Sequence, residues 1–279
     1  MLLAPRYRYP PVIAVALPPS DPHPLLAQRR RLEGILGELS EQQWHHPSRC
    51  EGWSVQDVVT HLTSTNHFWA RSIEEGLAGA PTRMLATFDP VASPALMVEH
   101  GRGGSVTATF EEFARSNATL GGVVEALTVA DGDVIAEAPP GHLPVRLVAD
   151  HALWDAWVHE RDIVLPLGMV PIVDGGEVID ALHYVAALGR AISLCAGSTD
   201  TGAVEITVTN PDHRFVVEVV EDQVRVHANP TPRGAPTAQA DAVMLIEVLS
   251  FRHSGWPPPP AVTWLLAGLG AAFDQPSGG

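Results

Sequence analysis

"DHALWDAWVHERD" (Asp150–Asp162) sets His151, Asp155, His159 and Asp162 three or four residues apart in an otherwise apolar stretch. In an α-helix, positions four apart stand one above the other. These four side chains therefore form one polar stripe on a helix whose flanks, Trp154, Trp157 and Val158, read as buried. Buried polar atoms need partners. The helix should open near Pro144, a good first-turn residue, and end around Leu165–Gly168.

Three more amphipathic stretches precede it. Leu25, Leu32, Ile35, Leu36 and Leu39 share one helical face. At "SVQDVVTHL", Ser54 caps a second helix and Asp57, three residues on, completes a capping box; Val55, Val58, Val59, Leu62, Trp69 and Ile73 form its apolar face. A third helical region spans Pro94 to Leu127, broken around Gly101–Gly104 because glycine weakens helix interiors. Four such helices in a row predict a bundle over 25–172. Residues 1–24 are proline-rich with little periodicity and read as an irregular arm.

From residue 173 the pattern changes. A helix over Glu177–Cys195 reads as a connector. "AVEITVT", "FVVEVV" and "VRVHA" then alternate, separated by "NPDH" and "EDQ", which predicts an antiparallel meander. Beyond the loop Asn229–Pro236, Asp241 caps a helix carrying Val243, Met244, Leu245, Val248 and Leu249, and Ala261–Phe273 forms a last helix. The fold class is α+β, a helical bundle followed by a small domain over 173–279 with helices on one face of a sheet.

Composition narrows the function classes. The 279 residues include 46% hydrophobic and 18% charged ones, which fits a globular chain. All 17 basic residues are arginines and the formal net charge is -15, which disfavours nucleic acid or an anionic membrane as the main partner. Cys50 and Cys195 are the only cysteines, so no disulfide framework is readable and a reducing cytoplasm is the expected setting. No segment reads as a bilayer span.

On the second helix His61 lies at the edge of the inward face, and bundles build metal sites from such positions. Two imidazoles and a carboxylate suit zinc, and three protein ligands leave a position open for chemistry. His61, Asp155 and His159 are the inferred triad. The spacing also describes a metal-free hydrogen-bonded network. His45, His46 and His67 read as loop or surface residues; Cys50 reads as a reactive thiol near a helix N-terminus or as a small buried residue.

"CEGWSVQDVVTHL" (Cys50–Leu62) and "WDAWVHERDIVLPLG" (Trp154–Gly168) resemble the two signature segments of the mycothiol-dependent maleylpyruvate isomerase family, part of the DinB-like group of metal-binding four-helix bundles. The resemblance covers most of Leu25–Gly168. It continues more weakly through the meander and "ADAVMLIEVLSFR", which resemble a sterol-carrier-like domain. It implies a zinc ion, or another divalent metal, on positions matching His61, Asp155 and His159, although the family's founding enzymes have glutamate where this chain has the shorter Asp155, which His151, one turn earlier, would supplement or replace. It also implies mycothiol as the thiol cosubstrate and an arginine for an anionic substrate; Arg252 is the nearest match and reads equally as a solvent-exposed residue. Asp162 would accept a bond from His159 and orient it. Such a site would activate a thiol for attack on a small electrophile, giving cis–trans isomerisation or thiol transfer. The competing expectations are a metal-free bundle carrying a ligand-binding domain, and a family member recruited to another biosynthetic reaction. Oligomeric state is not readable.

Overall fold

The computed structural model of the chain describes residues 4–18, 20–89, 92–253 and 257–271. In chain order the elements are β1 (Ile13–Ala16), α1 (Leu25–Gly37), α2 (Glu41–Trp44), α3 (Val55–Leu77), α4 (Ala92–Gly101), α5 (Val106–Glu125), β2 (Ile135–Ala138), β3 (Gly141–Pro144), α6 (Val145–Val164), α7 (Gly175–Cys195), β4 (Gly202–Thr209), β5 (His213–Val220), β6 (Gln223–His227), β7 (Thr237–Asp241), α8 (Ala242–Leu249) and α9 (Pro260–Leu266).

Helices α1, α3, α5 and α6 form the bundle: α1 and α3 each pack on both α5 and α6. Ser54 and Asp57 make the expected capping box at the start of α3. The break around Gly101–Gly104 separates α4 from α5. Nearly all of α6 is buried, including its charged residues Glu160, Arg161 and Asp162.

The helix read as a connector is the spine of the molecule. Every residue of α7 from Ala181 to Ile192 is buried, because α6 covers one side while α8, α9 and the sheet cover the others. Gly189 is required there, since a side chain would collide with the Leu265 carbonyl of α9. Contrary to the reading that no segment could span a bilayer, α7 is long and apolar enough to do so. With 78% of its apolar window packed inside the protein, it is a core helix.

The sheet order is β1-β6-β5-β4-β7. Its centre, β4-β5-β6, is the expected antiparallel meander; both edges are parallel additions, β1 on β6 and β7 on β4. The irregular arm of the sequence reading thus contains a strand. Ile13 is fully buried, and the prolines on either side fit an edge position, where a missing N–H costs little. Residue Arg6 also bonds through its backbone to Pro140 and His142 at the β2–β3 hairpin, so the N-terminal segment ties hairpin to sheet. The last helix is shorter than expected, ending at Leu266 before a 3-10 turn at Leu269–Ala271; Phe273 lies outside the described residues.

Candidate metal centre

The α3 N-terminus and the middle of α6 bring His61, Asp155 and His159 together. Trp53, just before the Ser54 cap, packs its ring 5.4 Å from that of His61. His61 Nε2 lies 3.8 Å and His159 Nε2 3.5 Å from Asp155 Oδ1, and one donor atom of each residue lies within 4.8 Å of the others. Both imidazoles are buried. Asp155 Oδ2 accepts a 3.3 Å contact from the Thr65 hydroxyl.

These separations test the fit of a metal. At 3.5 and 3.8 Å the N···O pairs are too long for good hydrogen bonds. Tetrahedral zinc with bonds of about 2.0–2.1 Å holds its donors about 3.4 Å apart. The two aspartate pairs are therefore slack as hydrogen bonds and near the spacing of tetrahedral donors, with the shorter aspartate within 3.8 Å of both imidazoles. Against its burial, which would raise it, the imidazoles of His61 and His159 hold the Asp155 carboxyl well below the usual carboxylate range. Burial pulls the His61 imidazole down, favouring its neutral, ligating form.

The other nitrogen of His159 faces a different environment. His159 Nδ1 is 3.0 Å from Asp162 Oδ2. Fully buried Asp162 also accepts Arg49 Nε at 3.0 Å and Arg252 Nε at 2.9 and 3.1 Å. Cys50 Sγ donates to Asp162 Oδ2 at 3.2 Å and lies 3.7 Å from His159 Nδ1. Arg49 continues to Glu247 of α8 through bonds of 2.8 and 3.1 Å. Burial would lower the His159 imidazole, but its contacts with Cys50, Asp162 and Asp155 lift it to about 10. Against its burial, which would raise it, His159 and Arg252 hold the Asp162 carboxyl well below the usual range.

Arg252 is thus a half-buried residue clamped on Asp162, with Nη2 3.6 Å from Cys50 Sγ, rather than a free surface arginine. His151 is not brought to the triad's donor group. Its Nδ1 pairs with the Tyr184 hydroxyl at 2.7 Å, its ring stands against Trp69 and Trp154, and burial lowers it to about 4. His45, His46 and His67 are exposed, the last paired with Glu112. Sequence reasoning missed Arg49 and Thr65, which carry no spacing signal, and it left the place of Cys50 open. Two grooves of about 690 and 340 Å³ lie elsewhere; neither is lined by His61, Asp155 or His159.

A profile of the family described as mycothiol maleylpyruvate isomerase N-terminal domain matches residues 25–164. No curated protein sequence matches the chain. Among solved structures, the chain is similar to the mycothiol-dependent maleylpyruvate isomerase, with 13% identity and a TM-score of 0.58 over 85% of this chain and 95% of that one. A point mutant of a mycothiol-dependent maleylpyruvate isomerase gives 11% identity with the same TM-score, 0.58, and the same coverage, 85% and 95%. At these identities the likeness is one of fold, and it runs beyond the helices matched by the profile.

Proposed function

Because the chain belongs to the mycothiol maleylpyruvate isomerase N-terminal domain family, we propose that it is a metal-dependent enzyme that uses mycothiol to isomerise a small, anionic, unsaturated substrate. The observation that carries this reading is the spacing of His61, Asp155 and His159: too wide for hydrogen bonds and close to a tetrahedral donor set.

His61, Asp155 and His159 would hold the ion. A zinc ion bound there would favour the thiolate form of a coordinated thiol, which is the nucleophile. The chain's own residues supply the rest. Asp162 accepts a hydrogen bond from the Nδ1–H of His159, so that an ion displacing the other ring proton would find the Nε2 lone pair turned towards Asp155. Thr65 steadies the second oxygen of Asp155. Trp53 covers one side of His61 and limits water. Arg252 and Arg49 bring positive charge beside the cluster, and Arg252, whose Nε is held by Asp162, would meet a substrate carboxylate through the rest of its guanidinium. Thiol addition to an activated double bond permits rotation, and elimination of the same thiol restores the double bond in the other geometry.

The test is a zinc-loaded preparation given mycothiol and maleylpyruvate, followed spectroscopically. Cis–trans conversion that needs both metal and thiol is expected. Conversion indifferent to the thiol, or none with any cis-unsaturated keto acid, overturns the reading.

A further inference from the structure

Among the described residues, one buried cation near the cluster has no ion-pair partner. Arg29 of α1 is 3% exposed, and its Nη2 makes a 3.4 Å contact with the carbonyl of Ala152, one turn before Asp155 on α6. Among the described residues, its Nε and Nη1 have no hydrogen-bond partner. The surrounding charges pair off without it. Arg31 bonds Glu160 and Glu177, Arg49 bonds Asp162 and Glu247, Arg252 bonds Asp162, and Arg161 reaches Glu247 at 4.0 Å. Among the described residues, Asp155 pairs with the imidazoles of His61 and His159 and with Thr65. Arg29 thus carries a buried charge against the α6 turn that precedes half-buried Asp155, and its attraction to Asp155 acts without an ion pair between them.

We propose that Arg29 is an electrostatic positioning residue of the His61–Asp155–His159 cluster, a fixed cation that loosens the hold on a metal ion and tightens the hold on an anion brought beside that ion. This rests on the metal reading of the cluster. Burial lowers Arg29 to about 10, with Asp155 and Glu160 opposing that fall, so it stays charged at neutral pH. Its charge balances Asp155. A divalent ion would then leave the cluster positive in a dry setting, where charges are screened far less than in water. The positive excess is discharged by an anion, which fits a thiolate and an anionic substrate better than a neutral one.

The two affinities should move in opposite directions. In Arg29→Met, zinc measured by competition with a chelator should bind about tenfold tighter, while mycothiol, measured on cobalt-loaded protein through sulfur-to-cobalt absorption, should bind about tenfold more weakly. Arg29→Lys should stay near the wild type in both. If Arg29→Met does not fold, Arg29→Gln gives the same comparison. A residue that only supports packing would weaken both affinities together, and that result, or no change in either, overturns the inference while leaving the metal reading intact. Wild-type protein that takes up no zinc would remove both.

Discussion

The two nitrogens of the His159 ring look onto different worlds. On the Nδ1 side every charge is answered: Asp162 is held by Arg49, Arg252 and the imidazole itself, with Cys50 alongside. On the Nε2 side His61 and Asp155 stand off at distances that hydrogen bonds do not favour. The same low-dielectric interior surrounds both, so packing does not explain the difference. The closed side fixes a ring and docks the α8 region onto the bundle, whereas the open side is spaced for a further atom.

The sharpest break of this comparison is His159→Ala, which removes both sides at once. Metal retention should be lost, while circular dichroism and a cooperative melt persist, because the apolar core lies elsewhere along α6. Unfolding instead would make the ring structural. Asp162→Asn attacks the closed side alone. It leaves two arginines without their buried carboxylate, and stability should fall by about 3–5 kcal/mol, read as a lower Tm. Zinc affinity should fall about 10–100-fold as His159 loses its orienting partner. Equal affinity with lower stability would separate docking from ligation.

The mildest test uses a buried carboxylate without such arginines. Burial and the nearby charge of Asp150 raise Asp180 from its ordinary 3.8 to about 6. With the folded value above the unfolded one, the native state binds the proton more tightly. Its contribution is therefore complete below about pH 4 and is lost as pH rises through 6. Asp180→Asn should be more stable than wild type at pH 7 by about 1–3 kcal/mol, with the gap closing below pH 4. A constant gap across that range would mean that Asp180 does not carry it.

Much of this was legible because it is local. The capping box, the helix periods and the strand alternation are written within ten or so neighbouring residues, and so is the Asp155–His159 pair. The rest depends on distant partners. Ile13–Ala16 is too short to declare itself a strand and becomes one only against β6. Thr237–Asp241 looks like the tail of a loop until β4 pairs with it. In α7 even the polar residues Glu177, Asp180, His183 and Arg190 are buried, so no exposed face betrays its position, and a helix buried all round reads much like a linker of the same composition. At the site, Arg49 and Arg252 reach Asp162 from opposite ends of the chain, a convergence that no spacing rule encodes.

Zinc K-edge X-ray absorption on thiol-free, zinc-loaded protein decides between the two sides of the ring. The open side predicts a shell of imidazole nitrogen and oxygen at about 2.0–2.1 Å without sulfur. A sulfur scatterer at about 2.3 Å would place the ion with Cys50, His159 and Asp162, the other group of converging donors, and contradict the account.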